Sequence, residues 1–235
     1  MSIHDGHRAR LRKRFIEHGA ESMEDHQILE MLLFYSIPRG DTNELAHALM
    51  AAFGSFSAVL EASATDLCRV PGIGMQSATM LSFMGSVVRR YLIDKNNQNV
   101  TIIGSVTDCT DYLQPYFAGR KNETVYILCL DAKCKVLSCK QIGEGSINSA
   151  AIPLRRVVDI ALSCNASSVV LAHNHPGGIA LPSKDDISTT KQIAAVLKSV
   201  DVILADHIVY SDDDCVSMYQ SGLFKPDMHI TVISG

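Results

Sequence analysis

Hydrophobic spacing changes character near residue 95, and this change constrains the fold more than any other feature of the chain. Before it, apolar residues recur every three or four positions in "HQILEMLLFYSI", "NELAHALMAAF" and "QSATMLSFMGSVVRRYL", the spacing of amphipathic helices. Pro38-Arg39-Gly40-Asp41, Gly54-Ser55 and Pro71-Gly72 interrupt it with turn chemistry. Polar, unpatterned Asp94–Asn99 reads as a domain boundary. Beyond it, "TVYILCLD" and "KVLSCKQI" read as a strand pair turning at Ala132-Lys133. "LRRVVDIALSC" and "DDISTTKQIAAVLKSV" read as helices, and "SSVVLAHNHP", "VILADHIVYS" and "CVSMY" as strands. Strands alternating with helices predict an α/β domain. The expected organisation is an all-α domain over residues 1–95 followed by an α/β domain over residues 101–230.

Composition excludes some functions. A net charge of −4 with 47% hydrophobic residues argues against a protein that coats nucleic acid over its whole surface, while leaving room for a local basic face. The densest basic cluster is Arg8, Arg10, Arg12, Lys13 and Arg14. The N-terminus runs into these charges with no apolar core of a signal peptide. No apolar stretch approaches the roughly 20 residues of a membrane span. Seven irregularly spaced cysteines without a C-x-x-C pair read as reduced thiols, so a cytoplasmic protein is expected.

The densest chemistry lies where "SSVVLA" runs out. His173 and His175 are two residues apart, so in extended chain both imidazoles face one side. Pro176 and two glycines then turn the chain, and "PSKDDI" carries a helix start with Ser183 at the cap and Asp186 three residues on. Two imidazoles and one carboxylate leave a tetrahedral ion one open position, as in catalytic rather than structural zinc sites. Alone, His-x-His is often a pair of polar loop residues and Ser-x-x-Asp a plain cap; the combination at this spacing is far more specific.

A second pattern, "LCRVPGIGMQSATML", sets Leu67, Val70, Ile73, Ala78 and Leu81 at the apolar positions of a helix-hairpin-helix. Gly72, Ile73 and Gly74 form its turn, and the amides opening the next helix can hold a backbone phosphate without reading bases. Such hairpins also serve as plain packing elements.

"HNHPGGIALPSKDD" resembles the JAMM motif of the MPN superfamily, which includes metal-dependent isopeptidases. With "DGHRARLRKRF", "EMLLFYSIPRGDT", "AAFGSF", "VPGIG", "GSIN" and "LADHIV", nearly the whole chain resembles the bacterial RadC-like (UPF0758-type) family. The resemblance implies a cytidine-deaminase-like α/β/α domain, one Zn2+ per chain on His173, His175 and Asp186, and hydrolysis of a peptide or isopeptide bond. It also implies an upstream glutamate as general base. Glu144, the only acid between Asp131 and Asp159, is the candidate, although many relatives carry the glutamate where this chain has Gln141. Glu144 also reads as an exposed acid in a glycine-rich turn. Ser183 would, by the same resemblance, bond the developing oxyanion. Asp206-His207 resembles a further family feature: a carboxylate there can orient a ligand imidazole, or the two can form a satisfied core pair. The rival reading is a non-catalytic DNA-binding or DNA-repair-associated protein with a structural or vestigial zinc.

Overall fold

The computed structural model describes residues 3–98, 100–145, 152–212 and 214–226. The chain divides into two compact units, Met1–Tyr91 and Leu92–Gly235.

The first unit is helical: α1 (Ile3–His18), α2 (Asp25–Ser36), α3 (Asn43–Phe53), α4 (Phe56–Glu61), α5 (Ala64–Leu67) and most of α6 (Met75–Asn97). Ser55 and Ser63 cap α4 and α5, each accepting from an amide three residues on at 3.1 Å. Leu29, Leu33, Leu49, Leu67, Ile73 and Leu81 are among the side chains of its core. Part of the N-terminal basic cluster is structural. Buried Arg8 donates to the carbonyls of Ile37, Pro38 and Gly40, each at 2.9 Å, and its guanidinium lies 4.7 Å from the Phe34 ring centroid. Those bonds satisfy an otherwise exposed loop backbone, which explains why "IPRG" holds one shape. Asp94–Asn97, expected as linker, is the last turn of α6.

The second unit contains α7 (Val106–Phe117), β1 (Thr124–Leu130), β2 (Val136–Glu144), α8 (Leu154–Ser163), β3 (Ser168–Asn174), α9 (Lys184–Lys198), β4 (Ile203–Tyr210) and β5 (Cys215–Ser217). The sheet order is β2-β1-β3-β4-β5. Only β3 and β4 are parallel, joined through α9 as a crossover helix. Alternation assigns the faces. Val125, Ile127, Cys129, Val169 and Leu171 pack with α8 and α9, and Tyr126, Leu128, Leu130, Val170 and Ala172 pack with α7. The expected α/β/α layering follows, since both faces of the central strands are apolar. The α7 helix was not evident in the strand-rich reading of this half, although Ser105 caps it by accepting from Asp108 N at 3.1 Å and Cys109, Tyr112, Leu113 and Tyr116 follow at helical spacing. All seven cysteines are free; burial pushes the Cys109 and Cys129 thiols up to about 12, so both stay protonated core residues. Among the described residues no helix is long and apolar enough to cross a membrane.

Candidate metal centre

His173 ends the buried run of β3 on the α8/α9 face, 6% exposed. Pairing continues one residue past the strand, where the His175 amide donates to the Tyr210 carbonyl at 2.7 Å. The chain then reverses: Gly178 N donates to His175 O at 3.1 Å, with Pro176 second and Gly177, at φ +66°, third. Those are the residues a type II turn demands, and the turn swings the chain away directly after the second histidine. It returns at the start of α9. There Ser183 Oγ accepts from Asp186 N at 3.0 Å, while Asp186 Oδ2 accepts from Ser183 N at 2.7 Å and from Ser183 Oγ at 2.6 Å, a reciprocal capping box.

This box binds Oδ2 and leaves Oδ1 facing His173 Nε2 at 3.4 Å. His175 Nε2 lies 3.0 Å from His173 Nε2 and 3.8 Å from Asp186 Oδ2. The three donor atoms all lie within 4.8 Å of one another, a group that can hold a metal ion. Its chemistry fits that role. His175 Nδ1 lies 3.2 Å from the Ile179 carbonyl, which only accepts, so Nδ1 carries a proton and Nε2 is the nitrogen turned toward His173 and Asp186. Burial drives His173 down to about 4, against the pull of Asp186 and with help from His175, so its ring is neutral and able to ligate. Burial alone would raise Asp186; the facing His173 ring and the Ser183 hydrogen bonds outweigh it and hold the carboxyl below its usual range.

The other expected residues lie elsewhere. Glu144 pairs with Thr124, whose strand parity is that of Tyr126 on the α7 face, whereas His173 pairs with Val125 on the other face. Gln141 Nε2 donates to Glu144 Oε2 at 2.7 Å, and Arg120 Nη1 lies 3.7 Å from Glu144 Oε1. The structure therefore does not bring Glu144 to the three donors, and Gln141 shares its face. The segment 146–151, with most of "GSIN", lies outside the described residues and contains no acid. The hydroxyl proton of Ser183 is committed to Asp186. Asp206, read either as orienting a ligand imidazole or as part of a satisfied core pair, sits opposite Val170 and accepts from His207 N at 2.7 Å, from Tyr219 N at 2.9 Å and from Ser217 Oγ. The neighbour one residue on reaches the site instead: His207 Nε2 lies 2.8 Å from His173 Nδ1.

The sequence reading missed Asn174, between the two histidines. Alternation turns it to the α7 side, where Oδ1 accepts from Thr124 N at 2.8 Å and Nδ2 donates to Asn122 O at 3.2 Å. Strict period two across His-Asn-His was the available signal. At the hairpin, Gly72 adopts φ +90° and a Cβ there would meet Leu45 Cδ2 at 2.6 Å, whereas Gly74 has open space around it. Ile73 is 4% exposed, a core residue.

The RadC-like JAB domain model matches residues 103–223, and the UPF0758 N-terminal model matches residues 6–79. The chain belongs to the RadC-like JAB domain family. Among its relatives, a UPF0758 protein of Paraburkholderia xenovorans is 34% identical over 90% of this chain and 83% of its own length. UPF0758 proteins of Saccharophagus degradans and Fusobacterium nucleatum are 32% and 31% identical, over 91% and 93% of this chain and 95% and 97% of their own lengths. The family's JAB model spans His173, His175 and Asp186.

Proposed function

We propose that this RadC-like protein is a zinc-dependent hydrolase of amide or isopeptide-type bonds, with one zinc on His173, His175 and Asp186. One observation carries the reading: two imidazoles and a carboxylate oxygen converge within 4.8 Å, three protein donors for an ion that takes four ligands. Ligand atoms about 2.0–2.1 Å from a tetrahedral zinc lie about 3.3 Å apart, close to the 3.0 and 3.4 Å separations here. When bound, zinc supplies a Lewis acid that polarises a carbonyl and lowers the pKa of a coordinated water to about 7.

The chain's own residues orient this centre. Ser183 fixes Asp186 through both its amide and its hydroxyl, and Ile179 fixes the His175 ring. Exposed Ile179 and Leu181 lie in the loop that joins the second and third donors, an apolar border for a substrate. Glu144 is the proposed proton acceptor, and to serve it must leave Gln141 and Arg120 and pass to the face of the sheet that carries His173. Ser183 can donate to an oxyanion only by turning its hydroxyl from Asp186.

The Arg120–Glu144–Gln141 cluster on the opposite face favours a second reading, in which the domain holds zinc without turnover in a DNA-associated protein. Zinc-loaded wild type and Glu144→Gln, offered a panel of fluorogenic peptide and isopeptide substrates, separate the two. Turnover by wild type that drops by about 10²–10⁴ in Glu144→Gln, with zinc retained, supports hydrolysis. A fully loaded wild type that cleaves no member of the panel moves the conclusion to the second reading.

A further inference from the structure

Three buried hydrogen bonds run from one metal donor to the backbone of another. His173 Nδ1 lies 2.8 Å from His207 Nε2, His207 Nδ1 lies 2.6 Å from Thr190 Oγ1, and Thr190 Oγ1 lies 2.6 Å from the Asp186 carbonyl oxygen. His207 and Thr190 are fully buried and His173 nearly so. The run crosses β3, β4 and α9, and its terminus is a group whose role is not in doubt, because a carbonyl accepts and never donates.

The proton positions follow from that end. Thr190 has one hydroxyl proton and gives it to the Asp186 carbonyl. Its oxygen must then accept from His207 Nδ1–H, since otherwise two lone pairs would meet at 2.6 Å. A neutral His207 has one N–H, so its Nε2 is bare and accepts from His173 Nδ1–H. His173 Nε2 is left bare, turned toward His175 and Asp186. His207 is 0% exposed and its two nitrogens meet only Thr190 and His173, with no carboxylate bonded to either, so nothing there favours a second proton.

We propose that Thr190 and His207 are positioning residues that select the ligating tautomer of His173, referenced to the backbone carbonyl of its fellow donor Asp186. The proposal rests on the metal-centre reading. Ligand histidines commonly donate their far nitrogen to a carboxylate, carbonyl or water, which sets tautomer and ring angle. Here a second imidazole takes that place, and an imidazole is ambiguous: it accepts only when its own other nitrogen is held as a donor. Thr190 removes the ambiguity. Without its hydroxyl, His207 can reverse, donate from Nε2 to His173 Nδ1 and force the proton of His173 onto the nitrogen that faces the metal position.

The test combines zinc affinity by chelator competition with imidazole 15N spectra of the metal-free protein at neutral pH. Wild type should show His173 and His207 in the Nδ1–H form. Thr190→Val, nearly isosteric, should move His173 toward the Nε2–H form and weaken zinc binding about 10–100-fold. Thr190→Ser, which restores the hydroxyl, should keep the wild-type spectrum and affinity, and thermal midpoints identify any variant that is merely unstable. If Thr190→Val does not fold, His207→Gln serves: its amide oxygen accepts from His173 and its NH2 donates to Thr190, so it should hold zinc more tightly than His207→Leu. An Nε2–H His173 in wild type overturns the proposal, as does a folded Thr190→Val with wild-type zinc affinity. A wild type that shows the expected tautomers yet binds no zinc supports the hydrogen-bond chain and defeats the metal reading.

Discussion

The side chain of Asn174 holds the Thr124 amide at 2.8 Å, tying the end of β3 to the start of β1 on the sheet face opposite His173. Its NH2 group meets the Asn122 carbonyl at 3.2 Å on the same side. The two histidines that flank Asn174 thus rest on a strand end whose backbone is fixed from behind. Asn174→Ala leaves the Thr124 amide, in a 0% exposed residue, without a partner. Loss of a buried hydrogen-bond partner costs about 1–3 kcal/mol. Urea denaturation should show that loss, and an unchanged midpoint would mean that water replaces the amide group.

Metal content is the next measurable. Purified protein should carry close to one zinc per chain, and His175→Ala or Asp186→Ala should lose it, because two remaining protein donors compete poorly with water. Full zinc occupancy in both variants by elemental analysis would remove these residues from the centre.

Acid should weaken the metal-free protein in a defined window. His173 is depressed from 6.5 to about 4, chiefly by burial, and His207 shifts in the same direction. A depressed folded-state pKa means that the unfolded chain takes up the proton first. The contribution of His173 to stability is therefore intact above pH 6.5, declines as pH falls, and levels off near its folded value of about 4. For His173 alone the loss is on the order of 3 kcal/mol. Urea midpoints measured in chelator should slope across this window, and the slope should lessen in His173→Gln. A profile equally steep in both proteins would assign the effect to other groups.

At the hairpin, Gly74 opens α6 with free space where a side chain would go. Gly74→Leu should leave the helical unit folded while obstructing the amides proposed to meet phosphate. Fluorescence titration with duplex DNA should then show weaker binding than wild type, steeply salt-dependent and barely sequence-dependent in both. Absence of wild-type binding at low salt would leave the hairpin as a packing element, a role Ile73 already fills from the core.

The convergence of His173, His175 and Asp186 was legible because each rests on a local rule: strand parity for His173 and His175, helix capping for Asp186. His207 and Asp206 show where such rules stop. Which of two adjacent β4 residues faces a ligand on β3 depends on strand register, and the ladder carries an irregularity between Val169 and Val170. Parity counted along one strand cannot cross that step. The placement of Glu144 was hidden for a related reason. It was singled out as the only acid between Asp131 and Asp159, and its pairing with Thr124 sets it on the α7 side. The end of α6 looked like linker because Asp94–Asn97 is polar, but polarity there accompanies specific bonds: Asn96 Nδ2 to the Tyr112 carbonyl at 3.3 Å and Tyr112 OH to Asn97 Oδ1 at 2.7 Å. Such long-range partners have no signature in a single sequence.

The candidate donors and the residue that positions them differ in when they become available to a folding chain. His173, His175 and Asp186 lie within one short stretch, joined by the turn at Pro176-Gly177 and the box at Ser183, so drawing them together closes only a small loop at low entropic cost. His207 arrives from β4, after the α9 crossover, and parallel pairing of that kind is slow to form. A nascent β3–α9 segment can therefore gather these three side chains before the residue that sorts their imidazole protons is in place, and the proposed zinc would meet a pliable group during synthesis but an already set one in the finished protein.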